Sequence, residues 1–127
     1  MDEIGMDIRV CGKKRCARVR GKVDTGAFAT IIPQSVADAV GIRPSGGSVG
    51  AHGVGNKAVK LREAEATVCL PGGCACRRQK VYIADDKAMH GEVLVGMDFL
   101  NAGNANIDAR TGRVRCRRKG SKRRKHA

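Results

Sequence analysis

Asp24-Thr25-Gly26-Ala27 is the stretch of this chain best suited to chemistry. It follows an alternating apolar run, Ala17, Val19 and Val23, and it precedes a second one, Ile31-Ile32. A carboxylate between two apolar strands needs a reason, and acid–base catalysis supplies one. Gly26 suits a tight turn in which a side chain would clash. The Thr25 hydroxyl can tie the loop down. The tripeptide Asp-Thr-Gly also occurs as a plain turn, so its flanks must decide.

The elements that would position Asp24 can be read around it. Ile8 and Val10 alternate with polar residues, Gly12-Lys13-Lys14-Arg15 makes a turn, and Ala17, Val19 and Val23 return. That is a hairpin whose second strand delivers Asp24 at its end. After the loop, residues 28–32 suit a short strand. Pro33 fits the first turn of a helix, on which Val36, Ala37 and Val40 share one face before Gly41 stops it. Residues 44–56 hold five glycines and read as a mobile loop, with His52 near its tip. Residues 57–70 form a long strand whose apolar phase switches near Arg62-Glu63, which predicts a bulge or a bend. Pro71-Gly72-Gly73 turns the chain, and residues 74–84 return as a strand. Residues 85–87 form a loop, 92–95 a strand and 97–102 a short helix. A last hairpin spans residues 104–116. Many short strands with one or two short helices predict an all-β barrel.

The far segment Val93-Leu94-Val95-Gly96-Met97-Asp98-Phe99-Leu100 is an apolar strand closed by Gly and followed by a helix. Together, the Asp24 loop and this segment resemble the retropepsin-like aspartic proteases, closest to the cellular bacterial or archaeal type. The resemblance spans residues 7 to 115. It implies a closed barrel of short strands over residues 1–116, with a flap at about 46–58. It implies that Asp24 is catalytic and that Thr25, Gly26 and Ala27 complete its loop. Phe28, Gly53 and Val54 would line the substrate cleft. Leu94, Val95 and Gly96 would pack beneath the loop, with Asp98 bonding to nearby backbone. Viral members often carry an acidic residue where this chain has Phe28, which implies an apolar subsite here.

No second Asp-Thr-Gly or Asp-Ser-Gly is present. Aspartic protease chemistry needs two carboxylates that share a proton, because like charges at short range cannot both ionise. One chain offers one Asp24, so the partner must come from a second copy across a two-fold axis. The resemblance therefore implies a homodimer that hydrolyses polypeptide with an activated water and needs no cofactor for catalysis. Ala27 stands where a Ser or Thr would donate to the carboxylate, which predicts activity at mildly acidic to neutral pH.

Bulk properties narrow the setting. At 127 residues the chain is one domain. Two Phe and one Tyr leave the core to aliphatic side chains. No stretch is long enough to span a membrane. The acidic start lacks an apolar leader region, so the cytoplasm is the expected location. All 12 acidic residues and 15 of the 25 basic ones lie before Arg110, while residues 110–127 carry the other ten. The basicity is therefore largely a property of the tail.

Two features fall outside the family pattern. The tail, residues 117–127, lacks the apolar side chains that would order it. It reads as solvated, or as a nonspecific contact to nucleic-acid phosphates; no aromatic residue is interleaved for base stacking. The six cysteines allow 15 full pairings. Cys11 and Cys16 flank one turn, and Cys69 and Cys74 another. A structural zinc on Cys11, Cys16, Cys69 and Cys74 or Cys76, disulfides, and unlinked thiols all remain open. The functional alternative to an enzyme is a dimeric binding module of the same fold that contacts nucleic acid through its tail. A third reading is a small cysteine–zinc protein that binds nucleic acid, with Asp24 in an ordinary turn.

Overall fold

The computed structural model describes residues 3–24, 26–27, 29–52, 58–71, 76–102, 105–107, 111 and 114–116. Its first element is the expected hairpin, β1 (Glu3–Cys11) and β2 (Cys16–Asp24), paired antiparallel from Cys11↔Cys16 to Glu3↔Asp24. Period-2 alternation puts Met6, Ile8, Val10 and Val23 on the buried face and leaves Asp7, Arg9, Arg18 and Arg20 exposed.

The chain then runs through β3 (Ile31–Pro33), α1 (Gln34–Val40), β4 (Ser48–His52), β5 (Ala58–Cys69) and β6 (Cys76–Ala84). It continues through α2 (Asp86–Met89), β7 (Val93–Val95), α3 (Met97–Ala102), β8 (Ala105–Ile107) and β9 (Val114–Cys116). The main sheet has the order β1-β2-β7-β3-β6-β5-β4, and β1 also pairs with β5. Six strands therefore close into a barrel, with β4 appended to β5. Closure joins β1 to β5 and so removes the two outer edges of the six-stranded sheet, while β4 and the start of β6 keep one uncovered side among the described residues. β8 and β9 form a separate two-stranded sheet.

Aliphatic side chains fill the barrel, as the scarcity of aromatics requires. Ile8, Val10, Ile32, Val68, Val81, Ile83, Val93 and Val95 are fully enclosed, with Phe99 of α3 among them. Each such side chain contributes roughly 1.5–3 kcal/mol relative to an exposed one. α1 lays Val36, Ala37 and Val40 on this core. Gly41 then ends the helix at φ 86°, a left-handed position where a Cβ would be strained. The last helical carbonyls accept from the hairpin turn: Lys14 N–H reaches Val40 O at 2.9 Å, and Lys13 N–H reaches Gly41 O at 3.3 Å.

Four local expectations are corrected. Among the described residues the strand after the Asp24 loop is Ile31–Pro33, and the Thr30 N–H before it is taken by the Asp98 carboxylate instead. Pro33 caps α1 rather than entering its first turn. No bulge interrupts β5: its partners run one-to-one from Ala58 to Arg62 on β4 and from Arg62 to Cys69 on β6. The apolar phase changes because Leu61 is buried outside the main core cluster that holds Ala64, Ala66 and Val68. Residues 86–89 form a helix rather than a loop. There the Asp86 carboxylate accepts from both Ser35 N–H (2.8 Å) and the Ser35 hydroxyl. Among the described residues no helix is long and apolar enough to cross a membrane.

Candidate active site

β2 carries Asp24 at its C-terminal end, and β7 fixes that end from the side through the parallel register Val23↔Val95. Asp24 is half-buried. Its Oδ1 accepts the Gly26 N–H at 2.8 Å, and its carbonyl accepts the Ala27 N–H at 3.1 Å. The chain thus turns at once, leaving the carboxylate on the outside of a tight loop.

The loop is held from below by the Gly96–Leu100 segment. Ala27 O accepts the Met97 N–H at 2.7 Å. A Cβ on Gly96 would lie 2.6 Å from Ala29 O, 2.7 Å from Ala29 N and 2.8 Å from Ala27 O. These are backbone atoms that cannot step aside, so only glycine admits this contact. Asp98 then ties down the far end of the loop. It accepts Thr30 Oγ1–H at 2.7 Å, Thr30 N–H at 3.1 Å, Gln79 Nε2–H at 3.0 Å and its neighbour's Phe99 N–H at 2.7 Å. The Thr30 hydroxyl in turn accepts the Gly96 N–H at 3.3 Å. Charge-assisted bonds of this kind are the stronger class of hydrogen bond.

The structure therefore brings Asp24, Gly26, Ala27, Gly96 and Asp98 together. Thr25, Phe28, Gly53 and Val54, also expected in the site, lie outside the described residues. β4 and β5, which flank residues 53–57, pair antiparallel with His52 opposite Ala58. Sequence reasoning missed Thr30 and Gln79. Each left a trace: Thr30 is a lone hydroxyl in an apolar run, and Gln79 occupies the buried phase that Val81 and Ile83 continue.

The zinc set is not assembled in this structure. Cys11 is bonded to Cys16 and Cys69 to Cys76, and Cys74 lies outside the described residues. A disulfide sulfur offers no thiolate to a metal. Both links join residues directly opposed across a strand pair, Cys11↔Cys16 and Cys69↔Cys76. No cluster of His, Cys, Asp or Glu suited to a metal occurs among the described residues.

Residues 12–102 match the model of a protein family described as gag-polyprotein putative aspartyl protease. The chain belongs to that aspartyl protease family. The match runs from the β1–β2 turn through α3 and so includes the Asp24 loop and the Gly96–Leu100 segment. No curated protein sequence matches. Several solved structures share the fold, among them these two. One is the retroviral protease-like domain of Ddi1 from Leishmania major, with a TM-score of 0.63 at 16% identity, covering 91% of this chain and 89% of that one. The other is the EIAV protease in complex with the inhibitor HBY-793, with a TM-score of 0.59 at 17% identity, covering 77% of this chain and 85% of that one. At such identities the likeness establishes a retropepsin-type barrel and no more.

Proposed function

We propose that this protein is an aspartic endopeptidase, active as a homodimer in which two Asp24 carboxylates form one site. The observation that carries this reading is the placement of Asp24. It sits half-buried on a tight turn, and the loop's later backbone is fixed to β7 and α3 by contacts that tolerate no side chain at Gly96. The Asp24 Oδ1–Gly26 bond would serve an ordinary turn as well; what favours a catalytic carboxylate is the fixed base beneath it together with the family match across residues 12–102.

In this reading two loops face each other across a two-fold axis and share one proton. The ionised carboxylate draws a proton from a bound water, which attacks the scissile carbonyl. The protonated partner hydrogen-bonds the carbonyl oxygen and stabilises the charge that develops on it. The tetrahedral intermediate collapses as the proton passes to the leaving amine. β4 and the start of β5 supply the flap that covers the substrate. The cytoplasm remains our proposed location, and it predicts that thiols Cys11, Cys16, Cys69 and Cys76 are reduced there until the chain meets an oxidant.

Cleavage of a mixed peptide library by wild type and by Asp24→Asn, each checked for mass by light scattering, tests the proposal. Cleavage by the wild-type dimer that vanishes in an intact variant dimer supports it. A stable wild-type dimer with no cleavage from acidic to neutral pH contradicts it.

A further inference from the structure

β3 covers only part of one edge of β6. Its partners there are Tyr82, Ile83 and Ala84, so residues 76–81 of β6 have no strand beside them on that side among the described residues. Between this open edge and the Asp24 loop lies a cavity of about 360 Å³, lined by Ala29, Arg77, Gln79, Lys80, Tyr82 and Asp98. Ala29 belongs to the segment between Asp24 and β3, so the cavity borders the active-site loop itself.

Its walls are chemically uneven. Arg78 is paired with Glu65 (2.9 Å) and Lys80 with Glu63 (3.7 Å). Arg77 is exposed and has no acidic partner among the described residues. Among the described residues Asp98 is the only acid on the wall, and its oxygens are occupied by the four donors given above. Gln79 is 9% exposed. Its Nε2 donates to Asp98 Oδ2 at 3.0 Å and to Lys80 O at 3.2 Å. Both partners are acceptors, which fixes the orientation of the carboxamide. Oε1 is left buried with no donor among the described residues. A buried acceptor without a donor is costly, and a donor brought by a ligand would relieve it.

An unpaired guanidinium, an orphaned acceptor and an open strand edge beside a cleft fit one ligand class. We infer that this groove binds an outer portion of the polypeptide substrate and selects an acidic side chain there, with Arg77 as its counter-charge. The extended chain would add to the open edge of β6, as peptides do at exposed edges. Its backbone supplies N–H donors, and its carboxylate meets Arg77. The inference rests on the proteolytic reading, and it names the substrate feature which that reading leaves open.

The test uses ten-residue peptides in which Glu, Gln or Lys is scanned through every position. Wild type should cleave best with Glu at one outer position, about fivefold better than with Gln there, the scale of one partly exposed ion pair. Arg77→Glu should keep the scissile position and reverse the order in favour of Lys; its melting temperature serves as the control for folding. A wild type without a Glu preference, or a preference unchanged in Arg77→Glu, overturns the inference while leaving the protease reading intact. If wild type cleaves nothing, the protease reading falls and the groove is read by binding instead. Fluorescence polarisation of the same peptides on the Asp24→Asn protein should then favour Glu about fivefold over Gln. Equal affinities, or a preference that survives Arg77→Glu, overturn the inference.

Discussion

β2 is pinned at both ends by different means. At Cys16 a local covalent link to Cys11 closes the hairpin, and the turn docks on the end of α1. At Asp24 nothing covalent holds the chain. The loop is placed by hydrogen bonds from a segment some 70 residues away, through Gly96, Met97 and Asp98. The covalent end needs only its own two strands to form. The hydrogen-bonded end forms only once the barrel has closed, so the carboxylate is presented only by a folded chain. The same contrast separates stability from function: one end can be loosened while the other keeps its geometry.

The sharpest way to break the contrast is Gly96→Ala. The added Cβ meets three backbone atoms within 2.8 Å, so a loss above about 4 kcal/mol is expected in chemical denaturation. Asp98→Ala comes next. It strands the donors of Thr30, which is 0% exposed, and of Gln79, and about 3 kcal/mol should be lost. Activity should fall further than the folded fraction does, because the loop loses its seat. The covalent end responds differently. Replacing Cys11 and Cys16 together by Ser should cost about 2 kcal/mol, the chain-entropy value for so short a loop, and leave turnover per folded dimer unchanged. Equal effects on turnover at both ends would erase the distinction.

The smallest effect lies at α2. The Ser35 hydroxyl, and then the Ser35 N–H, hold the Asp86 carboxyl below its ordinary value of 3.8. A lowered carboxyl stabilises the fold above the ordinary value, and that contribution is lost as pH falls through the lowered one. Asp86→Asn should therefore melt slightly below wild type at neutral pH, with the gap closing in strong acid. A gap that persists in acid would assign the effect to packing.

Much of this arrangement is legible in the residues. Alternation gives the β1–β2 hairpin, and helical spacing gives the buried face Val36, Ala37 and Val40. The resemblance anticipates Asp24, Gly96 and Asp98 as one cluster. What is not legible depends on contacts distant in sequence. The partners of Asp98 include Thr30 and Gln79, 68 and 19 residues away. The α2 helix forms where Asp86 meets Ser35, 51 residues earlier. Cysteine spacing leaves the pairing open, whereas strand register sets Cys69 opposite Cys76 rather than beside Cys74. The apparent bulge in β5 is a change of neighbours, which periodicity along one strand cannot distinguish from a bend.

The central claim is that one active site takes its two carboxylates from two chains. Mixing wild type with Asp24→Asn at fixed total concentration, and allowing subunits to exchange, tests it directly. A shared dyad predicts activity that falls as the square of the wild-type fraction, to about a quarter at equal mixing. A linear fall, to about a half, would mean that each chain works alone and would contradict the account.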